Sequence, residues 1–223
     1  TGIENITQGI GLDISPYLVT GFDTKRGENN EKELTAGVDL FYQITPSLKS
    51  SLSINTDFAE TEVDDRQINL TRFNLHFPEK RDFFLDGANY FQFGINSNRI
   101  IPFFSRRMGL DENGSPIPIN VGAKLTGQVN NWNIGLMHIN DNRDIGFNNF
   151  SVARVSRNIW EQSSVGIIGT RGNAIGSDEN LMAGADFKLA TSKFKKNKNV
   201  SLVLFGLKSK TEAVDDIAWG AKF

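Results

Sequence analysis

The densest chemistry in this sequence lies between residues 57 and 110. Asp57, Glu60, Glu62, Asp64 and Asp65 place five carboxylates within nine residues. Clustered oxygen ligands of this type suit a calcium ion, yet the run lacks the Asp-x-Asp-x-Asp-Gly order of an EF-hand loop and reads as a solvated acidic loop. Further on, Glu79, Lys80, Arg81, Asp82 and Asp86 mix both signs of charge with Phe83, Phe84, Tyr90, Phe91 and Phe93. A glycosidase needs two carboxylates at a set separation. Glu79 with Asp86 or Glu60 could be cast in that role, but only the abundance of acids points to it. The two histidines, His76 and His138, have no partner residues at ligand spacing, and no H-E-x-x-H, G-x-S-x-G, P-loop or G-x-G-x-x-G pattern occurs. The sequence therefore assigns no catalytic residue, no metal site and no cofactor.

Composition narrows the class. The chain has 223 residues and no Cys, which excludes a disulfide framework, thiol catalysis and zinc–thiolate sites. Its 24 basic and 26 acidic side chains give a formal charge of -2, so no global positive field attracts nucleic acid. Mean hydropathy is -0.31, and no stretch approaches the ~18 consecutive apolar residues of a spanning helix. The 21 Gly and 17 Phe lean toward a β protein.

The elements that must position these charges follow from a period of two. Leu34, Ala36, Val38, Leu40 and Tyr42 alternate with Thr35, Gly37, Asp39, Phe41 and Gln43. The same split separates Val121, Ala123, Leu125 and Val129 from Asn120, Lys124, Thr126 and Gln128, and Leu181, Ala183, Ala185, Phe187 and Leu189 from Met182, Gly184, Asp186 and Lys188. The rule predicts about twelve strands, near residues 9–22, 33–44, 48–57, 68–77, 101–107, 119–129, 132–140, 150–158, 163–171, 180–190, 199–208 and 217–223. Ten residues at ~3.3 Å each and a tilt near 45° rise about 23 Å, close to the ~25 Å apolar band of an outer-membrane barrel. Tyr42, Trp132, Phe150, Trp160 and Trp219 lie near predicted strand ends, as interfacial girdle residues would.

Connections alternate in length. Thr45 to Ser47, Asn130-Asn131 and Arg157 to Gln162 are tight, and parity assigns Ala190 to Asn199 to the same rim. Asp23 to Lys32, Asn140 to Asn149, Gly172 to Glu179 and Lys208 to Asp216 are long. That asymmetry matches short periplasmic turns against longer extracellular loops. Residues 78–100 fall by parity on the short-turn rim, where they are too long for a hairpin. They are expected to form a rim or plug-like insertion, with Glu79, Lys80, Arg81 and Asp82 pairing with lumen charges such as Arg72, Arg106 and Arg107. Packing on a neighbouring domain is the alternative. Lys49, Asn55, Arg72, Lys124, Asp186 and Lys188 would line the interior.

Four strings carry a resemblance. Asn55-Thr56-Asp57-Phe58-Ala59-Glu60-Thr61-Glu62-Val63-Asp64 leads to Gln67-Ile68-Asn69-Leu70-Thr71-Arg72-Phe73; Phe77-Pro78-Glu79-Lys80-Arg81-Asp82-Phe83-Phe84-Leu85-Asp86-Gly87 and Phe104-Ser105-Arg106-Arg107-Met108-Gly109 follow. Together they resemble the membrane domain of a family of Gram-negative bacterial proteins. In that family a module similar to family-nine carbohydrate-binding modules precedes an outer-membrane barrel domain of unknown function. The resemblance implies a bacterial outer-membrane location and further strands after a stretch like Trp219 to Phe223, so that 1–223 is a partial barrel. Alternation ending on Phe223 also resembles a barrel C-terminal signal, which would instead close about twelve strands. The resemblance brings no catalytic residues.

The expected fold is thus an all-β, antiparallel up-and-down transmembrane barrel, with outer-membrane lipid and possible outer-membrane or periplasmic proteins as partners and no nucleic acid. Its expected role is a channel, an uptake component or an anchor for a periplasmic module. Two other classes compete: a soluble secreted β-sandwich binding glycans, and part of a carbohydrate-active enzyme.

Overall fold

A computed structural model of the protein describes residues 11–23, 31–56, 78–95, 100–110, 117–142, 149–173 and 179–223. Among the described residues, ten strands form one antiparallel sheet in sequence order. They are β1 (Leu12–Asp23), β2 (Glu31–Thr45), β3 (Leu48–Thr56), β4 (Ile119–Val129), β5 (Trp132–Asp141), β6 (Asn149–Asn158), β7 (Ser164–Arg171), β8 (Leu181–Phe194), β9 (Lys198–Lys210) and β10 (Asp215–Lys222). Among the described residues every strand pairs with its sequence neighbour, β1 and β10 are the edges, and the sheet does not close into a barrel.

Ten of the expected strands are present. The expected strand at 68–77 lies outside the described residues. The one at 101–107 is not a strand: Ser105–Arg107 form a 3₁₀ turn instead. Pro102 cannot donate to a ladder, and the adjacent Phe103 and Phe104 break the alternation that a two-faced strand requires. The parity assignment also changes. Thr56 pairs with Ile119, so the whole connection from β3 to β4 leaves and returns at the long-connection rim, not the short-turn one.

Pairing carries one face across the sheet. Ile14 lies opposite Leu40, Leu40 opposite Leu52, and Leu52 opposite Ala123. Ala123 faces His138, and further along Val155 faces Ile167 and Ile167 faces Ala185. This apolar face is open: Ile167 is 61% exposed beside Ile168 at 3%, and Leu181 is 57% exposed beside Met182 at 5%.

The opposite, mixed face is the packed one. Against it lie residues 78–95 and 100–110, the insert, with a four-residue helix, α1 (Asp82–Leu85), and a 3₁₀ turn at Ala88–Phe91. Phe83, Phe84, Phe91, Phe93 and Met108 of this insert form one cluster with Ile119, Met137, Ile139, Val152, Ile168 and Met182 of the sheet. Each such aromatic is worth about 1.5–3 kcal/mol when fully buried, so the cluster anchors the insert firmly. Phe150, expected at a girdle, belongs here too, with its ring stacked 5.9 Å from Phe103.

The insert reaches far across the sheet. Asp86 meets Lys49 on β3, and Gly94 packs on Phe205 of β9. A flat sheet would hold those strands about 29 Å apart. Eight residues that include a 3₁₀ turn span only about 22 Å. The packed face therefore curves around the insert.

On β1, Tyr17 lies across β2 and donates its hydroxyl to the Asn55 carbonyl at 2.8 Å. Gly37 makes this crossing possible, because a Cβ there would lie 2.1 Å from the phenol oxygen. Gly37→Ala should destabilise the protein by about 1–3 kcal/mol through overpacking. Tyr17→Phe, which loses only the hydrogen bond, should cost about 1 kcal/mol. Denaturant midpoints of both variants against the parent check this order.

Candidate functional site: an insert clasped to the packed face

Three polar clasps hold the insert. The first closes the insert on itself. Arg81 Nε donates to Glu79 Oε1 at 2.8 Å and Nη2 to Oε2 at 2.9 Å, a bidentate pair. The same guanidinium donates to the Met108 carbonyl at 2.6 Å and the Ser105 carbonyl at 2.7 Å, and lies 4.2 Å from the Phe84 ring centre. Ser105 Oγ donates to Glu79 Oε2 at 2.7 Å. One buried ion pair thus joins residues 79–81 to 105–108.

The second clasp ties the insert to β3 and β4. Lys49 Nζ sits 2.8 Å from the Asp86 carboxylate. The buried Lys124 donates to the carbonyls of Phe83 and Asp86 and lies 3.9 Å from the Asp86 carboxylate. Its ammonium also stands 4.9 Å from the Phe83 ring centre. Gly87, at φ 73°, completes the approach: a Cβ there would fall 2.5 Å from Thr126 Oγ1.

The third clasp is on β6 and β8. Arg154 pairs with Asp186 at 2.7 Å and donates through Nε to the Gln92 carbonyl at 3.0 Å. Asp186 Oδ2 accepts the Gly94 amide at 2.9 Å. Phe93 stands under the guanidinium, 5.3 Å from its centre. Burying a charge is costly unless a partner and further hydrogen bonds satisfy it. Here Lys124, Arg154 and Asp186 of the sheet find partners in the insert backbone, so sheet and insert complete each other.

The expected site residues divide accordingly. Glu79 and Arg81 come together, with each other. Lys80 is half-buried and gives its amide to Glu79 at 3.1 Å; Asp82 is exposed in the first turn of α1. Asp86 does reach the sheet. Arg106 and Arg107 belong to the insert itself, one buried and one exposed, so neither is a sheet charge awaiting Glu79 or Asp82. Arg72 lies outside the described residues. Of the expected interior residues, Lys49, Lys124 and Asp186 face the insert, whereas Lys188 is exposed. Arg154 was not singled out by sequence reasoning. Its signal was a lone charge on the polar phase of β6, between Val152 and Ser156.

A cavity of about 270 Å³ lies within the insert, lined among others by Phe84, Phe91, Phe93, Phe103, Phe104 and Glu79. Among the described residues no group of three or more His, Asp or Glu could hold a metal ion.

The model for the domain of unknown function DUF5916 matches residues 9–131, more than half of the chain. The chain belongs to the DUF5916 family. The DUF5916 match runs through β1 to β4 and the insert and stops in the β4–β5 turn, leaving the remaining strands outside it. Its description names no membrane, ligand or carbohydrate-binding module. No curated protein and no solved structure matches the chain.

The first clasp carries a pH signature. Burial pushes the Glu79 carboxyl up, but the Arg81 guanidinium, the Ser105 hydroxyl and the Arg81 amide together hold it below its ordinary 4.5. A depressed carboxyl contributes stability that is present above 4.5 and fades as pH falls through the lower folded value. Acidification through that window should loosen the insert, and Glu79→Gln should flatten the response. Limited proteolysis of residues 78–110 as a function of pH measures both; identical profiles for parent and variant would contradict the assignment.

Proposed function

We propose that this chain is an outer-membrane β-barrel domain whose interior is occupied by the 78–110 insert, serving as a membrane anchor or uptake component and not as an enzyme. The sidedness of the sheet carries the reading. From β2 to β9 its apolar face is the more exposed one, and its charged face is the more covered one. In water this would leave Leu12, Ile14, Leu18, Leu34, Ile167 and Ile217 in one uncovered surface, far beyond the patches that soluble monomers tolerate. In a bilayer the same surface meets acyl chains, and the mixed face becomes a lumen lining.

Further observations support it. Strands of 8 to 15 residues match the span of a tilted transmembrane strand. Tyr42, Trp132 and Trp160 are exposed near the short-turn rim, where interfacial aromatics sit. The motif strings at 55–109 resemble a Gram-negative outer-membrane domain. The clasps at Lys49, Lys124, Arg154 and Asp186 favour an occupied interior over an open pore. The expected attachment to a carbohydrate-binding module belongs to the same proposal and rests on the resemblance alone.

Membrane fractionation tests the reading. The chain should resist carbonate extraction, and its gel mobility should shift on boiling. A species released by carbonate without detergent and insensitive to heating would overturn the proposal in favour of a secreted soluble protein.

A further inference from the structure

Resting on that membrane reading, we propose that the tip of the β8–β9 hairpin is a docking surface for anionic phospholipid headgroups. The last pair joining β8 to β7 is Lys188 with Ser164. Beyond it β8 and β9 continue as a ribbon, pairing Leu189 with Leu202, Thr191 with Val200 and Phe194 with Lys198. Six residues from Leu189 to Phe194 extend about 20 Å, or about 14 Å along the membrane normal at a 45° tilt. Bilayer headgroup layers are about 5–7 Å deep on each side. A hairpin of that length carries its tip through the headgroup layer.

Its chemistry suits that place. Residues 189–202 hold Lys193, Lys195, Lys196 and Lys198 and no acidic residue. All four are exposed. Phe194, among them, is exposed on the apolar-face phase, with the Lys195 ammonium 5.7 Å from its ring centre. Trp160, in the neighbouring β6–β7 turn, is exposed as well, and Lys193 ties that turn to the hairpin through Glu161 at 2.7 Å. The result is aromatic side chains that partition into an interface, surrounded by cations that pair with lipid phosphates. The hairpin end therefore complements an anionic leaflet.

The chain has no cysteine, so Asn197→Cys gives a single labelling point at the tip. The full chain, carrying a solvent-sensitive fluorophore there, is reconstituted into vesicles of phosphatidylcholine alone or of an equimolar phosphatidylcholine–phosphatidylglycerol mixture. Carbonate resistance is scored in both. The proposal expects a blue shift in the mixed vesicles alone, reversed at about 1 M salt, where the screening length falls to about 3 Å, and untouched by inorganic phosphate. Lys195→Gln, Lys196→Gln and Lys198→Gln together should abolish the shift and leave carbonate resistance intact. Equal emission in the two vesicle types from a carbonate-resistant chain would overturn the docking surface while leaving the membrane reading standing. A shift retained by the triple variant, or removed by inorganic phosphate, would also overturn it. Release by carbonate from both vesicle types would remove the membrane reading and the docking surface with it.

Discussion

The whole arrangement depends on where charge is buried. A sheet in water hides its apolar side and shows its polar side, because transfer of apolar surface from water dominates folding. Here the side carrying Lys124, Arg154 and Asp186 is covered, and the side carrying Leu34, Val38 and Ile167 is not. Covering three charges is tolerable only because the insert brings backbone carbonyls, an amide and the Asp86 carboxylate to meet them. The sheet and the insert are thus one structural unit, and the uncovered apolar face needs a separate explanation, which is the ground for the proposed bilayer setting.

The insert has little regular structure of its own. Its helix is a single turn, and such a segment has no independent stability. Order comes from two sources. Five buried apolar side chains root it in the sheet, and the Arg81 fork holds carbonyls from residues 105 and 108 that a short irregular segment could not otherwise satisfy. Glycine at 87 permits the left-handed turn that brings the backbone within touching distance of Thr126. An account of the family that treated these residues as a surface loop would miss that they are the core.

Much of this was legible in the sequence. Alternation located β4 at 119–129 to the residue, and β5, β6 and β7 within one residue at each end, since each has a clean apolar phase. It also placed Lys49, Lys124 and Asp186 on the phase that the insert meets. The aromatic density of 83–93 signalled burial correctly. The failures have physical causes. β8 extends to Phe194 because Thr191 and Phe194 pair across to β9, although the lysines around them read as loop. Phe150 sits at a strand end, which says nothing about face; its phase, shared with Val152 and Arg154, would have turned it inward. The Arg81–Glu79 pair was invisible as such, because two residues apart in a turn they were assigned partners across the sheet. Parity failed because it counted further sheet strands between β3 and β4, which pair directly with each other.

The central claim is that the exposed apolar face contacts lipid. Since the chain has no cysteine, Leu136→Cys and Ile167→Cys can each carry one spin label, with Asn131→Cys in the β4–β5 turn as the aqueous reference. In reconstituted vesicles, collision with oxygen should exceed collision with a water-soluble nickel chelate at positions 136 and 167, and the order should reverse at 131. Strong nickel accessibility at 136 and 167, equal to that at 131, would contradict the account.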